Sequence, residues 1–118
     1  MSTAVPRAFA ASIPAGKTEA VRTFIAETLG PRKAEMDDLQ RRSGVTEESY
    51  WLQGDPAGSD TLLIVSNGND ADFWAIMANP QTDFDRWFRE RCQTVIGFDP
   101  AEMGGEAPPT ALLEWHAA

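Results

Sequence analysis

The sequence predicts an α+β domain of ferredoxin-like type, with elements in the order β-α-β-β-α-β and a four-stranded antiparallel sheet covered by helices on one face. Three observations carry this. Two stretches, Lys17–Leu29 and Thr82–Ile96, place apolar residues at helical spacing. Two strand-like segments in the middle of the chain flank a run dense in turn formers, "GDPAGSD". Each helical half is preceded by a strand-like segment, and the second is also followed by one. A chain of 118 residues suits one domain, 1–118, with a single core.

The first strand is expected over Arg7–Ile13, where Phe9 and Ile13 lie at even spacing among alanines before Pro14 and Gly16 stop it. Lys17–Leu29 turns Ala20, Val21, Phe24, Ile25 and Leu29 to one side and Lys17, Glu19, Arg22 and Glu27 to the other. Gly30 and Pro31 interrupt the helix, and a more exposed piece over Arg32–Arg42 follows, anchored by Met36 and Leu39 and ending before Gly44. Thr46–Gln53 and Thr61–Asn67 read as a hairpin, the second strand apolar enough to be buried on both faces or nearly so. Asn69 and Asp70 open a helix to Ala78 that Pro80 ends; Thr82 then caps a helix to Ile96 with Phe84, Trp87, Phe88, Cys92 and Val95 inward. After a Gly- and Pro-rich loop, Gly97–Pro109, the segment Thr110–Ala117 is expected as the last strand. It carries Leu113 and Trp115 on one face and Leu112, Glu114 and His116 on the other.

Ten Lys and Arg against eighteen Asp and Glu give a net charge of -8, which disfavours nucleic acid and anionic membrane surfaces as partners. The basic residues do not cluster. Arg32, Lys33, Arg41 and Arg42 alternate with Glu35, Asp37 and Asp38, and Arg86, Arg89 and Arg91 with Asp83, Asp85 and Glu90, as on two solvated helix faces. The single cysteine, Cys92, excludes an internal disulfide or a Cys-rich metal site and reads as a small core hydrophobe. The N-terminal stretch, broken by Pro6 and Pro14, lacks the pattern of a signal peptide, and a cytoplasmic location is expected.

The segment "IPAGKTEA" invites comparison with a phosphate-binding loop. Ala11 stands where that loop needs glycine and Pro14 removes an N–H, so the segment reads as a strand-to-helix turn in which Gly16 supplies backbone freedom and Thr18 caps the helix. A sheet face carrying Tyr50 or Trp51 with Leu63, Val65 or Trp115 is too apolar to stay in water on a monomer, which implies a homodimer. Strand parity sends Tyr50 and Trp51 to opposite faces. The strand carboxylates are Glu47, Glu48 and Glu114, and Glu114 shares a face with His116, the only histidine, at a spacing that permits a hydrogen bond. The pocket candidates are therefore Trp51, Glu114 and His116.

The segments "PAGKTEAVRTF", "GVTEESYWLQ" and "LLIVSNGNDADFWAIMANPQTDFDRWFRE", with the terminal "LLEWH", resemble small bacterial proteins of the dimeric α+β-barrel superfamily. The resemblance spans nearly the whole chain and lies in aromatic and glycine positions. It implies two sheets packed face to face across a homodimer, often around a ligand cavity, and a small-molecule-binding or stress-related module. The alternative it implies is a cofactor-independent monooxygenase acting on an aromatic small molecule. Haem-binding relatives use a histidine on a helix, whereas His116 falls on the last expected strand; no cofactor and no metal are expected.

Overall fold

The computed structural model describes residues 5–56, 58–68, 70–97, 99 and 100, and positions 112, 113, 115 and 117. Three strands and four helices follow one another as β1 (Val5–Ser12), α1 (Thr18–Leu29), α2 (Lys33–Arg42), β2 (Glu47–Gln53), β3 (Thr61–Gly68), α3 (Asp70–Ala78) and α4 (Asp83–Arg91). A single turn of π-helix, Cys92–Ile96, extends α4. The sheet is antiparallel with the order β1-β3-β2. Its central strand pairs with β1 from Val5↔Gly68 to Ser12↔Thr61 and with β2 from Glu47↔Asn67 to Gln53↔Thr61.

The expected fourth strand over Thr110–Ala117 lies largely outside the described residues. Leu112, Leu113 and Trp115 are described, belong to no strand and are exposed.

The period of two along each strand sorts the sheet into unlike faces. Leu62 is buried, and Ala11, Tyr50, Leu52 and Ile64 pack with it beneath the helices. The intervening residues of β2 are all exposed. The expectation that β3 is buried on both faces fails for the described chain: Leu62 is fully covered while Val65 is 46% exposed. The helices supply the other half of the core through Val21, Phe24, Met36, Leu39, Phe84 and Phe88. Phe24 sits at its centre, with ring centroids 5.3 Å from Phe88 and 5.5 Å from Trp87. Such aromatic pairs add about 1 kcal/mol each beyond the area they bury.

Local chemistry sets the helix ends. Thr82 caps α4 in a reciprocal capping box with Asp85, as its sequence position implies. Thr18 does not cap α1. The helix starts one residue after Lys17 without a side-chain cap, and the Thr18 hydroxyl donates instead to Asp60 Oδ2 at 2.7 Å, tying the β1–α1 turn to the β2–β3 hairpin. Gly16 does what the sequence suggests: its φ of 79° lies in the left-handed region.

One pair of charged residues departs from the solvated faces expected of them. Asp85 is wholly buried and accepts from both terminal nitrogens of Arg42, at 3.0 and 2.8 Å. Arg42 lies at the last turn of α2, so this fork joins α2 to the start of α4. Burial alone would raise the Asp85 carboxyl, but the Arg42 guanidinium, the backbone N–H of Gln81 and the Thr82 side chain outweigh it and hold the pKa below its ordinary value.

Candidate functional site

A groove of about 550 Å³ opens at the β2 edge of the sheet, under the end of α1 and along α2. Its apolar wall is Ile25, Leu29, Met36 and Val45; its polar end is Gln40, Glu48 and Tyr50. The sequence of α1 creates the wall. Thr28, which the helical wheel leaves unremarked, is buried and donates its hydroxyl to Phe24 O at 2.8 Å. The buried face of α1 runs through Val21, Phe24 and Thr28, and the next residue, Leu29, expected in the core, lies at the lip of the groove and is 59% exposed. Along α2 the residues at positions 37, 40 and 41 are polar, so the helix does not close on the strand.

The polar end is organised around Glu48. Gln40 Nε2 donates to Glu48 Oε1 at 2.6 Å, and the charge of the same carboxylate acts on the buried phenol of Tyr50. Glu48 and Tyr50 stand two apart on β2 and so share the helix-facing side. Burial, followed by the negative charge of Glu48, raises the phenol pKa well above its ordinary value, so Tyr50 keeps its proton. Burial likewise raises the Cys92 thiol, with the charges of Asp99 and Glu48 adding to it, and leaves an inert core side chain. A carboxylate held by an amide with a phenol nearby is a polar patch in an apolar trough. That arrangement suits the orientation of a bound molecule. No group of three or more His, Cys, Asp or Glu able to hold a metal ion occurs among the described residues.

The sheet's other face is the second feature. Trp51 pairs with Leu63, which pairs with Ala10; Ser49 pairs with Val65, which pairs with Ala8. These residues form an apolar stripe across all three strands. Trp51 is 61% exposed, and its indole N–H donates to Ser49 Oγ at 2.9 Å.

Of the pocket residues expected from sequence, Trp51 is on this bare face and not in the groove, while Glu114 and His116 lie outside the described residues. The groove residues Gln40, Glu48 and Tyr50 were not grouped by sequence reading. The available signal was the i, i+2 spacing of a carboxylate and a phenol on one strand face, but Gln40 reaches them only through the fold. No helix among the described residues is long and apolar enough to cross a membrane. No protein-family model matches the chain, and neither a search of curated proteins nor one of solved structures finds a match.

Proposed function

We propose that the protein is a small-molecule-binding module that assembles as a homodimer, with the groove between α1, α2 and β2 as its ligand site. The groove carries the reading: about 550 Å³ with an apolar wall and one convergent polar patch falls within the usual range of small-molecule sites. The bare sheet face supports the dimer. A stripe containing Trp51, Leu63 and Val65 loses water when it meets its own copy, and a two-fold pairing uses the same patch on both chains. The outer edge of β1 is unpaired among the described strands. Trp51 lies across the sheet from the groove, so it lends no support to an aromatic-substrate monooxygenase built around it.

Light scattering after size exclusion tests the assembly. A mass near twice the 12.9 kDa of one chain is expected, with Trp51→Glu returning it to one chain's mass. A monomeric wild type removes the dimer from the proposal. For the ligand site, methyl chemical shifts of Ile25, Leu29, Met36 and Val45 are followed during a screen of small aromatic and aliphatic fragments. Shifts confined to other residues would reject the groove.

A further inference from the structure

We infer that the groove takes a short extended peptide, which adds to β2 as a further strand and turns alternate apolar side chains in under α1 and α2. This rests on the groove being a ligand site. It follows from the way β2 forms the wall.

A strand that lines a cavity with one face supplies every second residue, because its side chains alternate between two faces. Here residues 45–50 line the groove without a gap. Glu47 and Ser49 belong to the bare face of the sheet and Glu48 and Tyr50 to the helix-facing side, so the two sets meet one groove only around the edge of the strand. The wall is backbone as much as side chain. In the order β1-β3-β2 this edge is the outer one, and none of the described strands pairs with it.

The register fixes what the edge presents. Ile13 N donates to Asp60 O at 2.9 Å, one step beyond the pair Ser12↔Thr61, so the even-numbered residues of β3 turn their backbone groups to β1 and the odd-numbered ones to β2. The bond from Thr46 N to Asn67 O agrees. Carried across the β2–β3 register, this makes 47, 49, 51 and 53 the residues of β2 bonded to β3, while Tyr50 and Leu52 direct N–H and C=O outward. Donor and acceptor therefore recur every two residues, the repeat that an extended peptide matches. Ile25, Leu29 and Met36 stand beside the edge and receive its alternate side chains. From Ser49 to Gln53 the strand has neither a charge nor a proline, two devices that guard an exposed edge. The opposite outer strand differs: the even-numbered residues of β1 face away from β3, and Pro6 among them has no N–H to offer. The net charge of -8 favours a neutral or basic peptide over an acidic one.

Three forms of one peptide test this on the wild-type protein: acetyl-Lys-Val-Thr-Val-Thr-Lys-amide, the same peptide with both valine nitrogens methylated, and the same with both threonine nitrogens methylated. Each is titrated while the groove methyls and the backbone amides are observed by NMR. The parent is expected to shift the methyls of Ile25, Leu29 and Met36 and to move the Tyr50 and Leu52 amide protons downfield as they gain partners. Only one alternate set of peptide N–H groups faces β2, so one methylated form should bind at least about tenfold more weakly, having lost two hydrogen bonds, and the other about as well as the parent. With valines in the groove, loss on valine methylation means antiparallel addition and loss on threonine methylation means parallel addition. Equal affinity of the two methylated forms, or methyl shifts without movement of the Tyr50 and Leu52 amides, overturns strand addition and leaves the ligand site standing. So does a groove that binds the fragments of the screen and not the peptide. If neither peptide nor fragment moves the groove methyls at low-millimolar concentration, about the weakest binding such a site would show, both fall.

Discussion

Replacing Asp85 by Asn tests the join between α2 and α4 with almost no change of shape. The wild-type carboxylate accepts two N–H bonds from Arg42, at 3.0 and 2.8 Å, and two backbone N–H bonds, from Gln81 at 3.0 Å and Thr82 at 3.2 Å. Three of the four fall on Oδ2 and one, from Arg42 Nη2, on Oδ1, so an amide with its oxygen in the Oδ2 place keeps three acceptances without their charge and turns its NH₂ group against the guanidinium. A charge-assisted bond contributes about 1.5–3 kcal/mol; one is lost outright and the other three lose their charge assistance. The Arg42 side chain is 21% exposed and keeps its 2.8 Å bond to Asp38, so rehydration and that second partner recover part of the loss. The expected destabilisation at pH 7 is about 3 kcal/mol, measured by urea unfolding; for a domain of this size that lowers Tm by roughly 10 °C. The pH dependence has a definite sign. Asp85 has a depressed folded-state pKa, so its stabilisation is complete above its unfolded value near 4 and is lost as pH falls through the lower folded value. The gap between wild type and variant should therefore narrow below about pH 4. A loss under about 1 kcal/mol at pH 7, less than one charge-assisted bond, would mean that Arg42 and Asp85 are no more than neighbours.

The other expectations concern the turn after the π-helix and the core thiol. Gly97 has φ of 89°, and a Cβ there would meet Pro14 Cγ at 3.1 Å, so Gly97→Ala should cost about 1–2 kcal/mol in the same unfolding assay; a neutral result would show that the turn relaxes freely. Native Cys92 should react with a thiol reagent at least about a hundredfold more slowly than the urea-unfolded chain, because burial blocks access and disfavours the thiolate. Rapid labelling without unfolding would place Cys92 at a surface.

What the sequence disclosed divides along the line between local and distant partners. The period of α1, the break at Gly30 and Pro31, the hairpin and the Thr82 cap depend on residues within a few positions of one another, and each is found in the structure. Thr18 was misread because its partner, Asp60, is 42 residues away. Arg42 and Asp85 resemble surface charges in their own helices and become a buried pair only when those helices meet, 43 residues apart in sequence. Leu29 fits the apolar wheel, yet the buried face of α1 is set by Val21, Phe24 and Thr28, and Leu29 faces out. The groove escaped notice for the same reason. Its polar end joins a helix residue, Gln40, to two strand residues, and only tertiary packing sets them side by side. The π-helical turn at Cys92–Ile96 has no marker in a pattern that reads as uninterrupted α-helix.

Tyr50 and Trp51 are consecutive, yet the pleat sends one under the helices and the other to the bare face. The strand is thus a partition one residue thick. Each side can be altered without editing the other: a change at position 51 alters the bare face, and a change at position 50 alters the lining of the groove. Fluorescence makes the division practical. Of this adjacent pair the indole reports on the outer side and the phenol on the inner, so both compartments can be followed in one unlabelled protein once the remaining tryptophans, on the helices and near the C-terminus, are replaced.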